Sequence, residues 1–405
     1  MIRHGDLSVF GSGMLTGKIL ALILAGGKGS RLGLLTESRA KPVMPFGGSY
    51  RLIDFALSNC RHSAISDVWV VEQYKLQSLN EHLSNGRPWD LDRTYGGLKV
   101  FPPYEDDDKD DGFAAGNADA IFRQRDFISS FNPEILVVLS ADHIYQLDFR
   151  EVIRVHLENQ AEVTMVTRKV PESESASRFG VVKVNKKGRV VDFEYKPEKP
   201  QSDIITTEVF VYEAKKLLAT LESISAKKGA ESIKDFGHEL IPQLVAGGRA
   251  FEYRHNSYWR DVGTIESYWQ THMDLLDEKQ DFTLDDPEWA ILTLAEQRAS
   301  AYIYSSADVK NSLLAQGCRV KGKVKRSVLS TGATVEQGAE ISDCIVLPNA
   351  VVEKGVRLHR AIVDAGARVT PQRLLKIKRQ KGEGKILVIG KRKIQDSKQI
   401  ADENN

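Results

Sequence analysis

The chain has 405 residues, 41% hydrophobic and 27% charged, and its 56 lysines and arginines against 55 aspartates and glutamates leave a formal net charge of +1. That length fits two or three domains with enough apolar material for a core, and the charge balance argues against a nucleic acid or an anionic membrane as the main partner. Cys60, Cys318 and Cys344 form no CxxC pair and the nine histidines form no HExxH or His/Cys zinc pattern, which suits a reducing compartment without structural disulfides.

Residues 1–17 are polar and glycine-containing and read as an arm. The apolar run at 19–25 is too short to span a bilayer and leads into glycines and charges, not a cleavage site, so a cytoplasmic protein is expected. From there short apolar runs at 19–24, 68–71, 135–139 and 163–166 read as strands buried on both faces. Helical patterns lie between or after them at 52–58, 76–83, 118–128 and 152–157. This alternation predicts an α/β, doubly wound domain over 18–290. Runs at 181–184 and 190–193 flank an Asn-Lys-Lys-Gly turn and read as a hairpin, which makes the sheet mixed.

The pattern then changes. Ser327-Val-Leu-Ser-Thr-Gly-Ala-Thr-Val335 recurs as Cys344-Ile-Val-Leu-Pro-Asn-Ala-Val-Val352 and as Ala361-Ile-Val-Asp-Ala-Gly-Ala-Arg-Val369, two offsets of 17 residues. Units of about six residues, three to a turn, predict a parallel β-helix over 300–370, because one coil cannot bury its aliphatic face alone. A β-sandwich with coincidental spacing is the plainer alternative. Residues 371–405 read as a basic stretch (376–381), one strand (386–389) and a polar tail.

The first strand ends in Leu24-Ala-Gly-Gly-Lys-Gly-Ser-Arg-Leu32. Glycines there let backbone amides converge on phosphate oxygens. The loop is neither a Walker A sequence nor a Rossmann fingerprint, and alone it could be a plain tight turn. Arg31 and Lys41, two cations just past the strand, suit a triphosphate and its departing pyrophosphate.

Leu24 to Leu32, Ala40-Lys-Pro42, Phe46-Gly-Gly48, Arg51-Leu-Ile-Asp-Phe-Ala-Leu-Ser-Asn59 and Gln73-Tyr74 together resemble the N-terminal signature of the ADP-glucose pyrophosphorylases (glucose-1-phosphate adenylyltransferases). Asp142-His-Ile-Tyr145, Phe179-Gly180, Lys196-Pro197, Asp235-Phe-Gly237 and Tyr258-Trp-Arg-Asp-Val-Gly-Thr264 extend the likeness over about 18–370. The resemblance implies a mixed-sheet nucleotidyltransferase domain followed by a left-handed parallel β-helix. It implies ATP and a hexose 1-phosphate, first glucose 1-phosphate, as substrates for glycogen or related α-glucan synthesis. It also implies Mg²⁺ as cofactor and a homo-oligomer, a tetramer, in the cytoplasm.

Residue by residue, the likeness assigns the nucleotide to Leu24, Ala25, Gly26, Gly27, Gly29, Gln73, Gly116 and Asp119. It assigns the sugar phosphate to Gly180, Tyr195, Lys196, Thr206, Asp235 and Trp259. Arg31, Lys41 and Asp142 are the expected catalytic set, and Lys18 falls where an anionic effector would bind. Asp142 lies just past the run at 135–139, where open α/β sheets place ligands, and Asp261 is distant in sequence. Taken singly they read as a turn cap and a surface ion pair; within the motif series they read as the two carboxylates that hold Mg²⁺.

Some positions depart from the family's pattern. Its Pro-Ala-Gln-Gln is replaced by Phe101-Pro-Pro-Tyr104 and an acidic run at 105–111, and its Trp-Tyr-x-Gly-Thr-Ala-Asp-Ala by Phe113-Ala-Ala-Gly-Asn-Ala-Asp-Ala120. The usual Glu-Lys-Pro is Tyr195-Lys-Pro197, and Ser-Met-Gly-Ile-Tyr is Thr206-Thr-Glu-Val-Phe210. These changes leave another NTP or another hexose 1-phosphate open, glucosamine 1-phosphate among them, as well as a non-catalytic regulatory subunit.

Overall fold

The computed structural model describes residues 17–103, 112–171, 175–278, 282–375 and 385–402. Nearly all of the expected arm, the acidic run at 105–111 and the basic stretch at 376–381 lie outside the described residues.

Besides a two-residue pair, Pro45–Phe46 with Tyr50–Arg51, the strands of the first unit are β1 (Ile19–Ala25), β2 (Asp67–Glu72), β3 (Gly97–Phe101), β4 (Ile135–Ser140), β5 (His143–Tyr145), β6 (Val163–Lys169), β7 (Gly180–Val184), β8 (Val190–Tyr195), β9 (Ile204–Glu213), β10 (Ala250–Arg254) and β11 (Trp259–Asp261). Nine of them form one sheet in the order β8-β7-β9-β4-β1-β2-β3, with β6 also paired to β9 and β10 paired to β6. The β4-β1-β2-β3 half is parallel, and β9 runs antiparallel to β4, β6 and β7, so the sheet is mixed as expected. Within β1 the side chains alternate between two cores: Ala21 and Ile23 on one face, Leu20 and Leu22 on the other. Each large aliphatic side chain so buried contributes about 1.5–3 kcal/mol, which is why these runs are continuous and not alternating.

Helices α1 (Leu52–His62), α2 (Leu76–Leu83), α3 (Asn117–Arg123), α4 (Arg125–Phe131), α5 (Phe149–Glu158), α6 (Ala214–Lys228), α7 (Ile241–Ala246) and α8 (Ile265–Asp274) cover the sheet and its edges. The helix expected at 118–128 is two helices. Gln124 breaks them: at φ −93° and ψ 5° its N–H turns to the Ile121 carbonyl.

Beyond residue 301 short strands stack into three sheets, parallel but for the last pair, Leu387–Ile389 with Ile394–Asp396. Val328, Ile345 and Ile362 lie in one column, Thr334, Val351 and Arg368 in a second, and Lys323, Glu340 and Arg357 in a third. Those steps keep the seventeen-residue offset read from the repeats, and the result is a parallel β-helix. The first column docks on the sheet domain, sharing a core with Phe46, Phe55 and Tyr268. Trp269 Nε1 donates to the Asp343 carbonyl at 2.8 Å across the same junction.

The expected polar tail is a correction. After Leu387–Ile389 the chain adds a strand, Ile394–Asp396, and a helix, Ser397–Asp402. Ile400 is buried against Gly33, so one apolar residue among polar ones anchors the segment. No helix among the described residues is long and apolar enough to cross a membrane.

Candidate active site

The carboxyl ends of β1 and β4 open on a cavity of about 340 Å³. Its floor is the glycine loop. Leu24, Ala25, Gly26 and Gly27 line it, and a Cβ on Gly27 would meet nothing within 4 Å, so that backbone faces open space. Gly29 adopts φ +69°, and a Cβ there would press on Thr36 and Lys41, which places the loop against the lysine's own turn. Gln73, at the end of β2, is buried beneath. In the amide orientation that satisfies both ends it donates to the Gly26 carbonyl and accepts from Ala114 N–H, each at 3.2 Å. The loop is thereby tied to the segment at 114–117 that forms the opposite wall.

Lys41 is buried and its ammonium pairs with Asp142. Burial alone would lower the lysine's pKa, but Asp142 and Asp261 outweigh it and the net shift is upward. Burial alone would raise Asp142; Lys41 and His143, with hydrogen bonds from Lys41 and Ser140, instead hold that carboxyl well below the usual carboxylate range. Asp142 is therefore ionised at any working pH, as a metal ligand must be.

Asp261 arrives by a different route. β5 and β11 form an antiparallel ribbon in which Asp261 pairs with His143 and Trp259 with Tyr145. The turn after β11 is stopped by α8, whose Thr264 caps it by accepting from Ser267 N–H at 3.1 Å. So residues 142 and 261, far apart in sequence, flank one imidazole. His143 Nδ1 lies 3.1 Å from the Thr207 carbonyl, an oxygen that only accepts, so Nδ1 carries the proton. Nε2 then faces Asp142 at 3.6 Å, Asp261 at 3.8 Å and Glu208 at 3.9 Å. One ligand atom each from Asp142, His143 and Asp261 lies within 4.8 Å of the others. A convergence of acceptors calls for a cation, and hard oxygen donors fit a divalent ion such as Mg²⁺.

The remaining expected residues divide. Gly116 and Asp235 line the cavity, and a Cβ on Gly116 would stand 2.6 Å from Asp235 Oδ1, so only glycine lets the two segments meet. Asp119 does not line it; its carboxylate accepts from Ala115 N–H at 2.8 Å and from Arg123 at 3.1 Å and so braces the loop from behind. Arg31 is exposed at the rim, beside Asp261: a Cβ on Gly263 would lie 3.4 Å from its guanidinium and 3.0 Å from that carboxylate. Trp259 is buried edge-on to His143 and Phe179 and, with Asp261 and Arg178, lines a second hollow of about 480 Å³.

On the sugar side, Tyr195 Oη donates to Asp235 Oδ2 at 3.2 Å, Thr206 Oγ1 donates to the Gly180 carbonyl at 3.4 Å, and Lys196 lies 4.6 Å above the Tyr195 ring. A Cβ on Gly180 would come within 2.8 Å of Phe193 and Thr206, so its smallness serves packing. Lys18 is remote from all of this. Its ammonium donates to the Phe131 carbonyl at 2.6 Å at the start of β1.

Three contributors were not read from the sequence as site residues: Ser140, His143 and Glu208. His143 had a signal, a histidine next to an acid just past a buried strand. Glu208 had one too, since it stands where the resembled motif has glycine, but the bulge that turns it inward is hidden by the alternation of β9.

Residues 20–278 match the nucleotidyl transferase family model, and residues 300–383 match the model for the GlmU-like C-terminal hexapeptide region. The chain is 42% identical over 337 residues to the glucose-1-phosphate adenylyltransferase of Clostridium perfringens (strain 13 / Type A), covering 83% of this chain and 85% of the relative. It is 40% identical over 347 residues to that of Bacillus anthracis, covering 85% and 91%, and 38% identical over 353 residues to that of Acetivibrio thermocellus, covering 87% and 82%.

Proposed function

The chain belongs to the glucose-1-phosphate adenylyltransferase family of sugar-1-phosphate nucleotidyltransferases, and we propose that its cavity joins ATP to a hexose 1-phosphate, releasing pyrophosphate and leaving an ADP-sugar. Glucose 1-phosphate, the acceptor in its relatives' name, is the first substrate. The observation that carries this reading is the convergence of Asp142, His143 and Asp261 opposite an open glycine loop.

An oxygen of the sugar phosphate attacks the α-phosphorus in line; the new P–O bond forms as the bond to the β-phosphate oxygen breaks, and pyrophosphate leaves with that electron pair. The nucleophile is already an anion, so no general base is needed, and positioning with charge neutralisation carries the catalysis. The amides of Gly26 and Gly27 cradle phosphate oxygens, while Lys41 and Arg31 offset the charge on the leaving group. Lys196 holds the sugar phosphate at the rim. Asp142 and Asp261 would hold Mg²⁺, which supplies shielding between the two phosphate groups that must meet. Tyr74, stacked on Phe113 at 5.2 Å and 23°, offers an aromatic wall for the base.

The reading extends to a cytoplasmic homo-oligomer, a tetramer assembled through the β-helix and subject to allosteric control. Pyrophosphate release measured with four NTPs against several hexose 1-phosphates tests the activity: turnover with ATP and glucose 1-phosphate is expected, and none with any pair would overturn it.

A further inference from the structure

The geometry points to Glu208 as the residue that reads the acceptor sugar, its carboxylate favouring a hexose 1-phosphate that bears an ammonium group, such as glucosamine 1-phosphate, relative to the neutral sugar. This rests on the nucleotidyl-transfer reading above and names a substrate class within it.

Glu208 sits in a bulge. Thr206 pairs with Thr167 and Phe210 with Met165, so β9 carries two more residues than β6 across this stretch. Within the bulge Glu208 takes φ +55°, a left-handed conformation that burdens any residue with a Cβ and that glycine would adopt freely. Such an outlier argues for a role in the site. It aims the side chain into the cavity beside Asp142 and Asp235.

Glu208 differs from its neighbours in what it has left to offer. Tyr195 spends its hydroxyl on Asp235 Oδ2, Asn117 N–H reaches Asp235 Oδ1 at 3.4 Å, and Thr206 is taken by Gly180. Glu208 makes no hydrogen bond to the described residues, and the nearest group that could carry positive charge, His143 Nε2 at 3.9 Å, also faces Asp142 and Asp261. Two acceptor oxygens therefore face the acceptor's space unspent. Charge decides between possible donors. Lys41 is paired with Asp142, and Arg178 lies 3.4 Å from Asp261. Lys196, which acts on Glu208 at longer range, is the cation the sugar phosphate claims. Among the described residues Glu208 has no lysine or arginine partner within ion-pair distance, and an ammonium on the sugar supplies one while donating hydrogen bonds.

The test compares kcat/KM for pyrophosphate release with ATP and either glucosamine 1-phosphate or glucose 1-phosphate, in the native protein, Glu208→Gln and Glu208→Gly. The amino-to-neutral ratio is expected to fall about tenfold or more in both variants. Glu208→Gly also relieves the backbone strain, and because both acceptors are measured in the same protein, a loss of folded enzyme lowers both rates and leaves the ratio unchanged. An unchanged ratio in both overturns the inference. If neither acceptor gives pyrophosphate with any of the three proteins, it is the nucleotidyl-transfer reading that fails. Calorimetric titration of the same two sugar phosphates then decides this inference: loss of the amino-sugar preference in the variants supports it, and equal preference in all three overturns it.

Discussion

The two walls of the cavity are built differently. The wall proposed for phosphate and metal gathers charged groups from four places, the glycine loop, the turn carrying Lys41, the end of β4 and the β5–β11 ribbon, and sets them in opposed pairs: Lys41 with Asp142, Arg31 beside Asp261. On the side proposed for the acceptor, Asp235 and Glu208 line the cavity; Asp235 is tied to Tyr195 behind it, Thr206 is tied to Gly180, and Glu208 enters from a bulge. Reaction chemistry shared by a family needs the first arrangement in one form. Choice of sugar is a matter of which hydrogen bonds remain unspent, and it can change by two or three substitutions without disturbing the sheet.

The largest expected effect falls on the first wall. Asp142→Ala removes a metal carboxylate and leaves Lys41 buried without its partner, so kcat should fall by about 10²–10³ while the fold persists; steady-state kinetics beside a melting curve checks both. A loss confined to KM would mean that this wall only binds.

Acid sharpens the contrast between site and scaffold. His156 and His272 are buried and their pKa values are each pushed down to about 4 from 6.5. The unfolded chain takes those protons near pH 6.5 and the fold only near pH 4, so the unfolded state binds more protons between these values. Stability should therefore fall as the pH drops through that window, by up to roughly 3 kcal/mol per histidine. Asp142 stays ionised throughout it. Loss of activity on mild acidification should track unfolding followed by circular dichroism, and activity lost while the fold remains intact would instead point to His143 or Glu208 in the site. The smallest effect belongs to the rim of the second wall: Lys196→Ala should raise KM for the sugar phosphate about tenfold and leave KM for ATP unchanged. Equal rises in both would move Lys196 out of the acceptor subsite.

Much of this was legible in the sequence, for identifiable reasons. Strands such as β1 and β4 are buried on both faces, so they appear as unbroken apolar runs, and each ends at the site. The β-helix was legible because stacking imposes the seventeen-residue offset on Val328, Ile345 and Ile362. What stayed hidden depends on contacts between distant residues. Nothing local says that Lys18 spends its ammonium on Phe131 or that Ile400 anchors the C-terminal helix against Gly33. The bulge at Glu208 is hidden for the same reason, since a register slip exists only relative to the partner strand.

The central claim is that Asp142 and Asp261 hold one cation between them. Mn²⁺ titrated into the protein with ADP-glucose present, followed by electron paramagnetic resonance for the native chain, Asp142→Asn and Asp261→Asn, tests it most directly. The account predicts one tight site lost in both variants. Undiminished Mn²⁺ binding in either variant would contradict it.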